Sequence, residues 1–359
     1  MDYGAIDLHK KESQIRILTE DGQVIDRRIA TTRERLAAVF ADRPRMRILV
    51  EASTESEWVA QHLEGLGHEV VVADPNFAAM YARRGRRIKT DQRDAAALAE
   101  ACRHGLYRMV HRRSARQRTV QSMLNVRREL TASRTRAISL ARGVTRAAGF
   151  RIRSGQAETF LKRLGALELP DSMTETLLPL HHVIELLDDE LATADAQFSR
   201  LVADDPIVSL LTTLPGIGPI TASAFVAALD DAARFESAGQ VTSYLGLVPR
   251  EYSSGERQQR GRVLRSAHPY VQALLIQAAW RTMRTRHPKT AALRDWAAAI
   301  AHRRGKQVAM VALGRRLARI LFAMWRDRVE YQPERVRTIH RHGAPAIDAK
   351  GAAAGNNVG

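Results

Sequence analysis

Four carboxylates in the first hundred residues have the types and spacing of a metal site: Asp7, Glu51, Asp91 and Asp94. Asp7 lies in Gly4-Ala5-Ile6-Asp7-Leu8, and Glu51 ends Ile48-Leu49-Val50-Glu51. Each puts a charge at the end of an apolar strand, where loss of water is costly unless something offsets it. A metal ion is the natural compensation. Asp91 and Asp94 stand three residues apart at the start of a helix and share a face. Together the four could hold two divalent cations about 3.5–4 Å apart, which would stabilise the entering and leaving oxygens of a phosphoryl transfer. Hard oxygen donors suit Mg²⁺ or Mn²⁺. Plainer readings exist for the parts. Acids in a first helical turn complement the helix dipole, so Asp91 and Asp94 alone are ordinary. His9 reads as a polar residue just past a strand. Cys102, the single cysteine, excludes an internal disulfide and a cysteine-built zinc site and reads as a small buried residue.

A second candidate chemistry lies far along the chain. Ser253-Ser254-Gly255 sits among Arg250, Arg257, Arg260, Arg262 and Arg265. Guanidinium groups could bind a phosphate and stabilise charge as a serine attacks it. By composition alone the step is also an ordinary polar turn. Pro215-Gly216-Ile217-Gly218-Pro219 resembles a helix-hairpin-helix element, in which glycines let the backbone approach a phosphate and helix amides bind it. A plain helix–helix turn is the alternative. Arg112, Arg113, Arg127, Arg128 and Arg134 belong to a basic block with few aromatics, which fits contact with a duplex or structured RNA backbone rather than base stacking.

The elements that must position these groups follow from periodicity. Residues 1–110 predict an α/β domain with strands Tyr3 to Leu8, Gln14 to Leu18, Val24 to Ile29, Met46 to Ala52 and His68 to Ala73. Helices are expected up to Phe40, over Glu55 to Leu66, and over Asp91 to Arg103. Three strands, a helix, a strand, a helix, a strand and then helices is the order of the ribonuclease H-like (resolvase-like) fold, a mixed sheet covered on both faces. Residues 111–204 predict an antiparallel helical hairpin. Leu177, Leu180, Ile184, Leu187, Leu191, Ala194, Phe198 and Leu201 form a heptad seam. A less regular partner seam runs through Met123, Val126, Leu130, Ala137, Ala141, Val144 and Ala148. One arm is basic and the other acidic: Arg112 to Arg163 holds fourteen Lys/Arg against two acids, Leu164 to Glu236 thirteen acids against two Arg. Seam packing within one chain or between chains is equally compatible. Residues 205–330 read as an all-helical domain with a polar, Arg-rich loop from Pro249 to Ala267. The Pro-, Ala- and Gly-rich tail, 331–359, is expected to be disordered.

The bulk charge agrees with a polyanionic partner. The 359-residue chain carries a net charge of +17, mostly as Arg, which suits bidentate phosphate contact. No long apolar run suggests a membrane span, and the charged N-terminus is not a secretory signal, so a cytoplasmic location is expected.

At this point the residues resemble a known group. Ala5-Ile6-Asp7-Leu8-His9-Lys10, Val50-Glu51-Ala52 and Lys89-Thr90-Asp91-Gln92-Arg93-Asp94-Ala95 are similar to the Asp-Glu-Asp-Asp transposases of bacterial insertion sequences, the insertion-sequence one-ten family, related to the pilin-gene invertases. Leu214-Pro-Gly-Ile-Gly-Pro-Ile-Thr221-Ala222, Tyr244-Leu-Gly-Leu-Val-Pro249 and Ser253-Ser254-Gly255 resemble its C-terminal domain. The resemblance covers residues 3 to 285. It implies a resolvase-like domain, a coiled-coil connector and a C-terminal domain with a serine nucleophile. It implies metal ligands at Asp7, Glu51, Asp91 and Asp94, and a nucleophile at Ser254, with Ser253 the alternative. The expected partners are donor and target DNA, a structured bridge RNA, and further copies of the chain as dimer or tetramer. One departure stands out: where the family carries a Lys, a Gly-Asn pair and a Leu-Arg pair, this chain reads Arg265-Ser266-Ala267-His268-Pro269-Tyr270-Val271-Gln272. A metal-dependent junction nuclease without serine chemistry, and a non-catalytic nucleic-acid-binding protein, are the rival readings.

Overall fold

A computed structural model describes residues 1–81, 90–254, 257–263 and 268–335, and for 249–254 and 257–263 the backbone. The chain divides into two compact units, Met1–Arg112 and Arg113–Gly359.

The first unit is a five-stranded mixed sheet with helices on both faces. Its strands are β1 (Tyr3–Leu8), β2 (Glu12–Leu18), β3 (Val24–Ala30), β4 (Arg47–Glu51) and β5 (Glu69–Ala73), in the order β3-β2-β1-β4-β5. The pairs β1–β2 and β2–β3 are antiparallel, whereas β1–β4 and β4–β5 are parallel. Alternation along the strands sorts the two faces. Ile6, Ile15, Ile17, Ile48 and Val50 pack against helix α1 (Arg33–Phe40) and helix α2 (Ser56–Gly65). Ala5, Leu18, Leu49, Val71 and Ala73 pack against helix α3 (Asp91–His104). Asp7 follows Ala5 by two residues and Glu51 follows Leu49 by two, so both carboxylates belong to the face that α3 covers. Cys102 lies inside that core, and burial pushes its thiol up to about 12.

The second unit begins with two long helices, α4 (Ala115–Ala147) and α6 (Asp171–Val202), joined through the short α5 (Phe160–Gly165). They run antiparallel: Arg116 meets Asp205, Arg127 meets Asp195 and Arg134 meets Asp188, so ascent along one helix is descent along the other. The α6 seam is as its periodicity predicts, with Leu177, Ile184, Leu191 and Phe198 buried. The α4 seam differs from expectation in part: Ala137 and Ala141 share a buried cluster with Leu177 and Ile184 of α6 as expected, but other positions do not. Val126 is 59% exposed. The positions that face α6 are Val120, Leu124, Arg127, Thr131, Arg134, Ile138, Ala141 and Thr145, in steps of four and three. Two arginines occupy this seam because α6 supplies acids opposite them, and charge pairing breaks the apolar pattern that sequence reading follows.

Beyond the hairpin, α7 (Pro206–Thr212) and α8 (Pro219–Leu229) flank the Pro-Gly-Ile-Gly-Pro turn. Helix α8 is buried from Ala222 to Leu229 and apolar all round, as a central core helix must be. Helices α9 (Ala238–Tyr244), α10 (Pro269–Thr285), α11 (Ala291–Arg304) and α12 (Lys306–Asp327) complete the same apolar core, α10 packing on α8, and α9 and α11 on α12. The unit is not all helical. The expected Arg-rich loop contains an antiparallel hairpin, β6 (Pro249–Ser254) and β7 (Arg257–Val263). Its strands are mostly polar, so no period-two apolar signal marks them, and main-chain hydrogen bonds make the pairing. Of the expected tail, residues 336–359 lie outside the described residues.

Candidate metal centre

The parallel pairing of β1 and β4 sets the first two carboxylates side by side. Ile6 aligns with Val50, and the next step along both strands reaches Asp7 and Glu51. Helix α3 carries the other two, of which Asp91 comes within 4.8 Å of Asp7; among the described residues Glu51 and Asp94 are not part of that group. Thr90 caps it, its hydroxyl accepting from the Arg93 amide at 3.3 Å. The first turn then presents Asp91 and Asp94, and the Asp94 amide donates to the Thr90 carbonyl at 3.0 Å. Gln92 fixes the start of the helix over the sheet by donating to Asp26 at 3.2 Å, while Asp26 is held by Arg16. Asp7 is 7% and Asp94 6% exposed, whereas Asp91 faces solvent.

The structure adds a residue that the sequence left as an ordinary polar group. The His9 imidazole places Nε2 3.4 Å from Asp7 Oδ2 and 3.6 Å from Asp91 Oδ1. One ligand atom from each of Asp7, His9 and Asp91 lies within 4.8 Å of the others. The turn that carries His9 is tethered. Thr31 donates its hydroxyl to the His9 carbonyl at 2.8 Å, shares a 2.7 Å hydrogen bond with the buried Ser13 hydroxyl, and donates its amide to the Lys11 carbonyl at 2.9 Å. His9 is one residue past the end of β1, and the tethered turn, not the strand's period, brings it to Asp7. Beside the cluster lies an open depression of about 240 Å³ lined by His9, Lys11, Glu12, Ser13, Gln14, Arg28 and Asp91.

This donor set fits a divalent cation. Asp7, buried, and Asp91, exposed, repel one another and favour a counter-charge between them. Carboxylate oxygens suit Mg²⁺ or Mn²⁺, and an imidazole nitrogen adds affinity for Mn²⁺ and softer ions.

The remaining candidates lie in the second unit, apart from Arg112. Ser254 ends β6 opposite Arg257, next to the hairpin turn; Ser253 is opposite Gln258, and Glu251 opposite Arg260. Arg262 is in β7, and Arg265 lies outside the described residues. Several arginines expected to face nucleic acid are engaged within the chain. Arg112 holds Glu57 at 2.9 Å and also Glu64. Arg127 pairs with Asp195. Arg134 holds Asp188 at 2.6 Å and Glu158 at 3.0 Å. Arg128 stacks over the Tyr270 ring at 5.4 Å, and Arg113 stands near enough to His268 to disfavour its protonation. The two turn glycines differ. Gly216 has φ +101°, and a Cβ there would meet Thr282 Oγ1 at 2.8 Å; Gly218, at φ −100°, faces open space. Among the described residues no helix is long and apolar enough to cross a membrane.

Comparison with known proteins gives the geometry its family. A DEDD-type transposase model of the IS110 kind matches residues 5–146, spanning all four carboxylates. A second, described as the transposase IS116/IS110/IS902 family, matches residues 208–294, spanning the glycine turn and the serine hairpin. A protein described as a probable family 20 transposase of Pseudomonas aeruginosa is 33% identical, covering 91% of this chain and 98% of its own. The transposase of IS1328 from Yersinia enterocolitica is 27% identical over 89% of this chain and 95% of its own. That of IS1111A from Coxiella burnetii is 26% identical over 89% and 88%. The chain therefore belongs to the IS110-type family of insertion-sequence transposases, which are DNA-recombining enzymes.

Proposed function

We propose that this transposase cuts and rejoins DNA with divalent metal held on a ribonuclease H-like scaffold, through a covalent phosphoserine. The observation that carries the metal site is the convergence of Asp7, His9 and Asp91 ligand atoms within 4.8 Å. The β3-β2-β1-β4-β5 order, with α3 over the β1 and β4 ends, supports the ribonuclease H-like reading. Asp7, Glu51, Asp91 and Asp94 would hold Mg²⁺ or Mn²⁺, with His9 at its margin. The bound ions would supply Lewis acidity to a phosphoryl transfer.

The chain's own residues do the rest in this reading. Ser254 Oγ, or Ser253 in its place, loses its proton and attacks phosphorus, and one DNA P–O bond breaks to release a hydroxyl. The phosphoserine ester keeps the bond energy, so a strand hydroxyl can reverse the step without ATP. Arg257, Arg260, Arg262 and Arg265 neutralise the phosphate. The backbone at Gly216 and Gly218, with Arg113 and Arg128, adds backbone contact to nucleic acid. Arg112, Arg127 and Arg134 act in this reading by holding elements together. The α4–α6 hairpin is a coiled-coil connector, 111–204, between a catalytic domain, 1–110, and a C-terminal domain, 205–330. The partners are donor and target DNA, a structured guide RNA and further copies of the chain, in the bacterial cytoplasm. A plasmid recombination assay with Asp7→Ala tests the reading: the account expects loss of product, and unchanged recombination overturns the metal mechanism.

A further inference from the structure

The chain's positive charge is unevenly spent. Along α4, Arg127 and Arg134 are committed to α6 carboxylates. Residues 281–306 differ: they hold eight Lys/Arg against a single acid, Asp295, which is +7 of the chain's +17. Arg284, Arg286 and Lys289 lie at the junction of α10 and α11, and Arg303, Arg304 and Lys306 at the junction of α11 and α12. All six are exposed. None has an ion-pair partner among the described residues. Arg286 even holds a left-handed φ of +48°, where glycine would cost less.

Helix α11 joins the two triads. Its 14 residues span about 20 Å. Between the triads its solvent face is Asp295, Ala298, Ala299 and His302, which recur at helical spacing and are small at the centre. Small side chains let a polyanion approach the helix closely, while the ends reach outward. Among the described residues 268–335 no Phe, Tyr or Trp ring is exposed, and Trp296 is covered by Arg316 at 4.5 Å. Binding of unpaired bases needs such rings to stack on. Their absence from this surface favours a duplex. An A-form RNA groove is too narrow and deep for a helix, whereas the B-DNA major groove, about 12 Å wide, admits one.

We infer that α11 and its two flanking triads form a second binding surface for double-stranded B-form DNA. The helix lies along the major groove, and a triad reaches the phosphates on either side. Its residues belong neither to the carboxylate set nor to the serine hairpin. It would hold flanking duplex without reading sequence, because its contacts go to phosphates.

The test uses the full-length chain, a fluorescent 30-base-pair DNA duplex of mixed sequence, and anisotropy titrations across a salt series in EDTA. EDTA keeps the metal reading out of the result, so either reading can fail alone. The quadruple variant Arg284→Gln, Arg286→Gln, Arg303→Gln, Arg304→Gln is expected to bind duplex DNA at least about tenfold more weakly. Its slope of log affinity against log salt should fall by about 3 to 4, at roughly 0.9 per lost phosphate contact. Ala298→Glu, which removes no arginine, should also weaken duplex binding. Circular dichroism melts confirm folding of each variant. Unchanged affinity and slope in both folded variants overturn the inference. So does an equal or larger loss on double-stranded RNA or on single strands, since that assigns the surface to another partner.

Discussion

His9 Nε2 stands 3.4 Å from Asp7 Oδ2, across the open end of β1, and 3.6 Å from an Asp91 oxygen. One residue beyond the strand thus turns back onto the carboxylate that the strand delivers. The tether through Thr31 and Ser13 holds this turn in place.

That relationship predicts an unequal response to substitution. In Mn²⁺ titrations by calorimetry, Asp7→Asn should abolish binding. His9→Ala should weaken it by about ten- to a hundredfold, the scale of losing a ligand-orienting partner. Thr31→Val should give a smaller loss, because it loosens the turn without removing a donor. Wild-type Mn²⁺ affinity in His9→Ala would exclude the imidazole from the site.

The two turn glycines separate packing from binding. Gly216→Ala must pay both for a positive φ and for a Cβ 2.8 Å from Thr282 Oγ1. A loss of about 2–4 kcal/mol in chemical denaturation is expected. Gly218→Ala meets nothing within 4 Å and should leave stability within about 0.5 kcal/mol. If nucleic acid approaches this backbone, Gly218→Ala weakens DNA binding without destabilising the fold. Intact binding would leave the turn a plain helix connection.

The hairpin seam should depend on its charges. Asp188→Ala leaves Arg134, only 11% exposed in its side chain, with Glu158 as its remaining acid. The expected loss is about 1–3 kcal/mol in urea unfolding. Restoring a carboxylate with Asp188→Glu should recover most of it. An unaffected midpoint would show that the pair contributes nothing net.

His268 is one source of acid sensitivity in the second unit. Burial, with Arg113 and Arg234 nearby, lowers His268 from 6.5 to about 4. The unfolded chain takes up this proton near pH 6.5 and the folded chain does not. His268 therefore costs nothing above pH 6.5, and stability falls as pH drops from there towards 4. The full difference is about 3 kcal/mol. His268→Gln should flatten the stability curve between pH 6 and 4. An equal slope in that variant would place the acid sensitivity elsewhere.

Much of this was legible in the sequence where burial imposes a period. The strands β1 and β4 are apolar runs that end near a charge, Asp7 and Glu51, and the α6 seam follows a heptad period. What escaped had a different physical basis. The α4 seam is carried by Arg127 and Arg134, whose polarity hides a buried position until the acids of α6 are opposite them. The β6–β7 hairpin has no alternation of apolar residues to mark it. His9 lies past its strand, and its place depends on a turn fixed by Thr31, twenty-two residues later. The six cations around α11 were visible as residues, but which arginines remain unspent is a property of the fold.

The most direct measurement is covalent capture on a nicked suicide DNA substrate carrying the element's ends, read by gel shift under denaturing conditions with Mg²⁺ present. The account predicts a protein–DNA adduct for the wild-type chain and none for Ser254→Ala, for Asp7→Asn or in EDTA. If Ser253 is the nucleophile, Ser253→Ala loses the adduct in place of Ser254→Ala. Strand cleavage without any adduct, or an adduct that survives both Asp7→Asn and EDTA, would contradict it.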